Sequence, residues 1–365
     1  MQKKICLVGG EDVHKRIALS KYLIDAGYIV TILGTSSQMF PKEINYVPYN
    51  LKRQFSPSAD YKTVQWYRQF FKEHTFDIIH TFDTKPAFLV PLALLKTETP
   101  ITRTITGLGT IFMSKSMFNF ILRRIYMFIH FSVRHRVNKT IFQNTDDRNI
   151  YLNKKLATTF NSDLIFSSGI ELKSITQKAN RDNIHFKFIC VARLVYEKGI
   201  LNLLEATRIC ANKGYNFKCI LVGPMEENSK RFNKNILKKY EDLVEILGAR
   251  EDVFDLLLSS DALVLPTFRE GFARVLLEAA AVGLPIISTN VPGVREFARH
   301  NKEALIIEPR DSKALADAMI SLANNKSLAD ELAENAFNRV KQFSLENVSN
   351  QYIAIFDSVI KNTKK

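Results

Sequence analysis

The chain has 365 residues, 46% of them hydrophobic and 24% charged, which is too long for one ordinary core and too apolar for a disordered or fibrous protein. Four cysteines, Cys6, Cys190, Cys210 and Cys219, form no C-x-x-C pair and lie largely in apolar runs, which argues against zinc or a disulfide framework and fits a reducing cytosol. The formal charge of +14 is one-sided, with 25 Lys and Arg against 13 Asp and Glu in residues 1–180 but 26 against 24 in residues 181–365, so the first half suits an anionic partner: a nucleic acid, a phospholipid surface or a phosphate-bearing substrate.

At the N-terminus Lys3 and Lys4 precede only a short apolar run, 5–8, before Gly9-Gly10, which does not resemble a signal peptide. The run 4–9, an amphipathic stretch over 13–26 and a second apolar run at 28–33 read as a β-α-β opening. The alternation continues with a helix near 61–74, a strand at 77–80, a helix after Pro86, a strand at 101–105, a long helix near 116–137 and a strand at 139–142. Residues 172–185 are polar and aperiodic and form the candidate linker. A second alternation follows, with strands at 186–192, 216–222, 261–265, 285–288 and 304–307 and helices at 198–213, 228–246 and 273–283. Three helices near 311–323, 327–342 and 345–362 close the chain. The expected architecture is α/β, with two doubly wound parallel sheets. Their boundaries are read as 1–175 and 176–345, with 346–365 a helix packing back on the first domain. Open sheets of this kind bind ligands at the carboxyl ends of their strands, so a cleft between the two domains is the expected site.

The strongest chemical signal is the segment 265–279, LPTFREGFARVLLEA, in which a strand end, a carboxylate, a glycine turn and a helix follow one another. A helix beginning near Phe272 or Ala273, after Gly271 and ahead of Arg274, offers backbone N–H groups and the positive end of its dipole to an anion. Glu270 on the entry loop can then hydrogen-bond a polyol, and Glu278, over a turn into the helix, a second polyol such as ribose. The plainer reading makes Glu270 a first-turn acid and Glu278 a solvated one. Apolar neighbours on both sides of Glu278 count against solvation, because an unpaired buried carboxylate is costly.

The E-x7-E spacing of Glu270 and Glu278 within REGFARVLLEAAAVGLPII resembles the nucleotide-sugar motif of the family four retaining glycosyltransferases, which have the GT-B fold. Further matches follow the family order: Thr106-Gly107-Leu108-Gly109, IFQN-TDD at 141–147, Ser168-Gly169-Ile170, Ala192-Arg193-Leu194 with Lys198-Gly199, Val222-Gly223-Pro224, Leu247-Gly248 and the segment 291–296. The resemblance implies that Arg193 and Lys198 clamp the donor diphosphate, that Glu270 contacts the transferred sugar and that Glu278 holds the ribose. It places Gly223 and the 247–250 segment, ending in Arg250, on the nucleotide side, and a loop at Gly9-Gly10 near the reacting centre. Two cations at a strand end would offset the charge that develops on a departing nucleoside diphosphate. The family's front-face mechanism, in which the leaving phosphate oxygen takes the acceptor proton, needs no protein nucleophile. No D-x-D motif is present, and neither a metal nor another cofactor is expected.

Gly9-Gly10 leaves room for a ligand near the backbone but is no full G-x-G-x-x-G, which disfavours a dehydrogenase. Where a related group of these enzymes has His before the glycine loop near the acceptor, this chain has Thr106, followed by Gly107. His80 and Asp83, at a strand end, are either acceptor-side groups or, for His80, a hydrogen-bonded structural residue. Residues 113–136 mix Phe, Ile, Leu, Met and Tyr with five Lys and Arg. The paired Arg123 and Arg124 rule against a spanning helix, and the composition fits either a helix lying in an anionic membrane interface or a buried helix with cationic ends. The expected function is therefore transfer of a hexose or N-acetylhexosamine from a UDP-sugar, with retention, to an undecaprenyl-diphosphate-linked saccharide in capsule or O-antigen synthesis. The enzyme would sit in the cytoplasm, peripheral on the inner membrane face. An epimerase or phosphorylase on the same fold is the alternative, and nucleic-acid binding is disfavoured because no helix-turn-helix, RNA-binding or zinc pattern is present.

Overall fold

The computed structural model describes residues 2–52, 54, 56–109, 112, 116–172, 185–225 and 231–363. The candidate linker lies outside these residues except at its ends, as does the start of the 113–136 stretch, Lys115 included. The chain forms two compact units, one of residues 1–169 with 345–365 and one of residues 170–344.

The first unit begins with β1 (Lys3–Val8), a 3-10 turn over Glu11–Arg16, α1 (Ile17–Asp25), β2 (Tyr28–Gly34), β3 (Asn45–Pro48) and α2 (Pro57–Glu73). It continues through β4 (Ile78–Thr81), α3 (Pro86–Ala93), β5 (Ile101–Ile105), α4 (Met117–Ser132), β6 (Lys139–Phe142), α5 (Thr145–Asn153) and β7 (Ser162–Leu164). All seven strands are parallel and ordered β3-β2-β1-β4-β5-β6-β7. The central strands read as unbroken apolar runs because helices cover both faces: Ile5, Cys6, Leu7 and Val8 are all fully buried. The sequence reading missed β3, a four-residue edge strand whose side chains are half or fully exposed and which therefore carries little apolar signal.

The second unit comprises β8 (Lys187–Val191), α6 (Ile200–Asn212), β9 (Lys218–Val222), α7 (Lys234–Lys238), β10 (Glu245–Gly248) and α8 (Val253–Leu258). Then come β11 (Ala262–Leu265), α9 (Arg274–Ala281), β12 (Ile286–Thr289), β13 (Leu305–Ile307), α10 (Ser312–Asn324) and α11 (Lys326–Val340). Its parallel sheet runs β10-β9-β8-β11-β12-β13, the order of the first sheet less its last strand. The single helix expected over 228–246 is corrected here: five residues form α7, and Glu245 and Ile246 instead pair with Ile220 and Leu221 of β9. The exposed sheet edge supplies backbone partners there, and that outweighs a helix-like spacing of apolar residues.

The last helix, α12 (Leu345–Thr363), belongs to the first unit. Val348, Tyr352, Phe356, Val359 and Ile360 form a stripe at helical spacing that packs among Ile5, Leu7 and Leu23. Lys3 reaches Asp357 at 2.6 Å, and the Tyr28 hydroxyl donates to the same carboxylate.

Candidate active site

In each sheet the strand order reverses beside the first strand of the unit, and a doubly wound sheet opens its ligand crevice at such a reversal. In the second unit the reversal separates β8 from β11, and the loops after both strands carry predicted residues. Exposed Arg193 follows β8 by two positions. Lys198 closes a 3-10 turn, Tyr196–Lys198, ahead of Gly199 at φ 70°. Glu270 lies between β11 and α9. The Lys198 Nζ stands 2.5 Å from the Glu270 Oε1, with only 20% and 11% of the two side chains exposed. At that depth each charge depends on the other.

Three loops hold this pair. Phe268 donates its N–H to the Glu197 carbonyl at 2.9 Å, Glu270 to Pro292 at 3.1 Å and Ala273 to Gly293 at 2.9 Å. Glycine is required where the loops touch: a Cβ at Gly199 would sit 1.9 Å from the Pro266 carbonyl oxygen, and one at Gly293 would sit 2.6 Å from the Glu270 Cβ.

Helix α9 starts at Arg274, with Ala273 as its cap and no side chain accepting from its first turn. The start agrees with the expected one near Phe272 or Ala273, but the leading N–H groups are not all open. The Ala273 N–H goes to Gly293, and the Arg274 N–H donates to the Phe272 carbonyl at 3.0 Å. Gly271 lies in the loop before them, and the Phe272 ring packs against Phe343. One helical turn links Arg274 to Glu278, whose Oε1 accepts from the arginine Nε at 3.2 Å, with 18% of the glutamate side chain exposed. Glu278 is thus neither solvated nor unpaired. Gly223 joins the ends of three strands: its N–H donates to Gly248 at 2.7 Å, and a Cβ would sit 1.9 Å from the Ala192 carbonyl oxygen. Arg250 lies beyond β10 and holds Asp252 with two hydrogen bonds, at 2.8 and 2.6 Å.

In the first unit the reversal falls between β1 and β4. Gly9 and Gly10 follow β1, Asp83 follows β4, and the Gly10 N–H donates to the Asp83 Oδ2 at 3.0 Å. Asp83 adopts φ 68°, a left-handed conformation that costs a non-glycine residue about 1 kcal/mol or more. Gly10, Asp83 and Thr106 line a cavity of about 490 Å³, whose apolar wall is Leu122, Ile125 and Tyr126 of α4. Gly107, at φ 146°, precedes Leu108, whose N–H donates to the buried Asp147 carboxylate at 3.2 Å. That bond ties the TGLG loop to the TDD segment at the start of α5. The acceptor-side reading of His80 is corrected. Its ring is fully buried, with Nδ1 2.7 Å from Thr102 Oγ1 and Nε2 2.9 Å from Thr104 Oγ1. Burial, reinforced by the charge of Arg16, pushes its pKa well below the usual imidazole value.

Residues 173–339, nearly all of the second unit, match the family described as Glycosyl transferases group 1. The second unit is a glycosyltransferase domain of this group. The chain is 27% identical over 358 residues, 92% of its own length and 91% of the other's, to the capsular polysaccharide biosynthesis glycosyltransferase CapM of Staphylococcus aureus. It is 23% identical over 330 residues, covering 87% and 82%, to the UDP-Gal:alpha-D-GlcNAc-diphosphoundecaprenol alpha-1,3-galactosyltransferase of Escherichia coli. A sucrose-phosphate synthase from Thermosynechococcus elongatus superposes with a TM-score of 0.83 at 18% identity, over 99% of this chain and 100% of that one. The shared fold is GT-B.

Two parts of this glycosyltransferase escaped the sequence reading. One is the pairing of Lys198 with Glu270, which are 72 positions apart and meet only because β8 and β11 are neighbours. The other is the first-unit cavity, whose apolar wall was signalled only as one helix of unassigned depth.

Proposed function

We propose that this glycosyltransferase moves a hexose or N-acetylhexosamine from a UDP-sugar, with retention, to a lipid-diphosphate-linked saccharide. The observation that carries the reading is the Lys198–Glu270 pair at the strand reversal of the second sheet, with Glu278 on the helix that follows. An incoming diphosphate competes with Glu270 for Lys198 and adds Arg193, which leaves the Glu270 carboxylate to accept from sugar hydroxyls. The acceptor hydroxyl attacks the anomeric carbon on the face from which UDP leaves. A new carbon–oxygen bond forms as the bond to phosphate breaks, and the hydroxyl proton passes to the departing phosphate oxygen. Preorganised cations stabilise the charge that develops on that group, and in this reading Arg193 and Lys198 do so in place of a metal ion.

The lipid-linked acceptor is supported by the activity for which the Escherichia coli relative is named. The first unit suits it: Asp83 and Thr106 can position a hydroxyl beside an apolar wall. Attachment to the inner membrane face is supported by α4, on which Met117, Phe118 and Phe128 are 74%, 70% and 72% exposed beside Arg123 and Arg124. No helix among the described residues is long and apolar enough to cross a membrane. The test is thermal melting with UDP and with UDP-sugars, since a ligand that binds only the folded state raises the melting temperature. A rise with UDP that Lys198→Ala removes, and turnover that survives EDTA, are expected. No rise with any nucleotide would overturn the reading.

A further inference from the structure

A second cavity of the first unit, about 640 Å³, lies at the carboxyl end of α4 and plays no part in the reaction above. Its rim carries Arg134, His135 and Lys155, and its floor is apolar, with Val137 and Leu152. The neighbouring cations are already committed. Arg136 donates to the Leu94 carbonyl at 2.7 Å and to the Thr97 hydroxyl at 3.0 Å, and Lys139 pairs with Asp163 at 2.9 Å. The rim differs: among the described residues no carboxylate pairs with Arg134, His135 or Lys155. The rim is organised internally instead. Arg134 Nη1 donates to the Lys155 carbonyl at 3.3 Å and its Nε to the His135 ring at 3.2 Å. Lys155 is held at φ 55° by its N–H bond to Leu152, a conformation unusual for a residue with a long side chain.

Two exposed aromatic rings flank the cavity. The Arg134 guanidinium lies 3.4 Å from the centroid of Phe131, which is 43% exposed, and Phe160, next to the lining residue Asn161, is 89% exposed. Phe131 continues along α4 to Phe128, Ile121 and Phe118, all exposed. A free phosphate would use the cations and leave the apolar floor and rings idle. A phospholipid uses all of these features: its phosphate meets the rim, its glycerol backbone the floor, and its acyl region the rings.

We propose that this cavity is a headgroup site for one anionic phospholipid, which anchors α4 at a defined point rather than through diffuse attraction alone. The proposal rests on the membrane reading of α4 given above. Diffuse attraction depends on the number of cations near the surface and not on their arrangement, so a charge-matched comparison separates the two. Arg134→Ala/Lys155→Ala and Arg123→Ala/Arg124→Ala each remove two positive charges. In flotation with phosphatidylcholine vesicles containing phosphatidylglycerol, the first pair is expected to weaken binding about tenfold more than the second. Both variants should keep the UDP-induced rise in melting temperature, which reads the second unit, and the wild-type urea melt at Trp66, which confirms folding of the first. Dihexanoyl phosphatidylglycerol should shift the His135 imidazole resonances in the wild-type protein, whereas inorganic phosphate at equal concentration should not. Equal loss in the two double variants, or an equal shift with inorganic phosphate, overturns the headgroup site while leaving membrane attachment intact. Failure of the wild-type protein to float on anionic vesicles removes both the site and the membrane reading, without touching UDP binding.

Discussion

The two units share a strand order yet differ in how they hold charge at depth. In the second unit three pairs are held at close range in the segments after the strands: Lys198 to Glu270, Arg274 to Glu278, Arg250 to Asp252. The first unit has such a pair too, Lys85 with Asp60 at 2.5 Å, but it also buries ionisable groups without an opposite charge. His80 and His130 are fully buried, and Arg103 is satisfied by Thr140, His130 and the carbonyls of Ala87 and Leu156. The comparison shows that topology supplies the crevice, whereas the loops after the strands decide which chemistry it can hold.

The sharpest break in the comparison concerns glycine. Both Gly199 and Gly27 have positive φ, 70° and 85°, but a Cβ at Gly27 meets nothing within 4 Å whereas one at Gly199 strikes the Pro266 carbonyl. Gly199→Ala is expected to destabilise the second unit by roughly 3 kcal/mol or more, because steric clash adds to backbone strain, and Gly27→Ala by about 1 kcal/mol from strain alone. Denaturant melts of the two variants check this, and equal losses would show that the 199–266 contact relaxes freely.

Next in size is the catalytic contrast. Lys198→Ala should lower turnover by about 100-fold or more, close to 3 kcal/mol of barrier, and abolish the UDP-induced rise in melting temperature. Asp83→Asn keeps a residue type that tolerates the left-handed region. It should weaken the acceptor's kcat/KM while leaving the UDP response unchanged. A UDP response lost in Asp83→Asn would erase the division of labour between the units.

How far these roles could be read from residues alone differs within the molecule. Runs such as 5–8 and 262–265 announce buried strands because both faces are covered, whereas β3 and β10 stand at sheet edges, where the apolar pattern fades. Leu237, Tyr240 and Val244 have helical spacing, so the 228–246 stretch reads as one helix, and only the free edge of β9 shows why its end is a strand. Glu270 and Glu278 are legible because they are eight positions apart on one loop and helix. The Lys198 partner is not, because it comes from another strand end. His80 could serve chemistry or packing until its neighbours are known. Thr102 and Thr104, two positions apart on one face of β5, take both ring nitrogens and decide for packing.

The buried histidines make the units respond differently to acid. Burial first, and then a nearby arginine, lowers the pKa of His80 and of His130 well below the ordinary value. The unfolded chain therefore binds protons at about pH 6.5, where the folded unit does not. Stability contributed by the neutral rings is complete above that pH and is lost as pH falls below it, by about 1.4 kcal/mol per pH unit for each ring. No buried histidine occurs among the described residues of the second unit. The only tryptophan, Trp66, lies in α2, so its fluorescence follows the first unit. Urea melts read at Trp66 should lose stability between pH 6.5 and 5.5, and His80→Gln should recover about 1 kcal/mol of that loss. A profile unchanged by the substitution would mean that another group governs the acid response.

The smallest effect compares exposed rings. Phe128 on α4 and Phe254 on α8 are 72% and 38% exposed, so replacing either with serine removes little from the core and should change stability by well under 1 kcal/mol. Their surroundings differ. Phe128 belongs to a helix that also exposes Phe118, Ile121 and Phe131 and carries Arg123 and Arg124, whereas α8 presents Asp255 in its first turn and no basic residue in its last. If α4 is the face that lies in the interface, only the first substitution touches membrane affinity. A ring at that depth is partly withdrawn from water, so Phe128→Ser should lower partition onto anionic vesicles about fivefold, on the order of 1 kcal/mol. Phe254→Ser should leave it unchanged. Raising the salt should weaken the wild-type protein and Phe128→Ser by the same factor, because screening acts on the arginines and not on the ring. An equal loss of partition for both substitutions would assign membrane contact to neither unit in particular, and the contrast between a docking unit and a donor-binding unit would have to be abandoned.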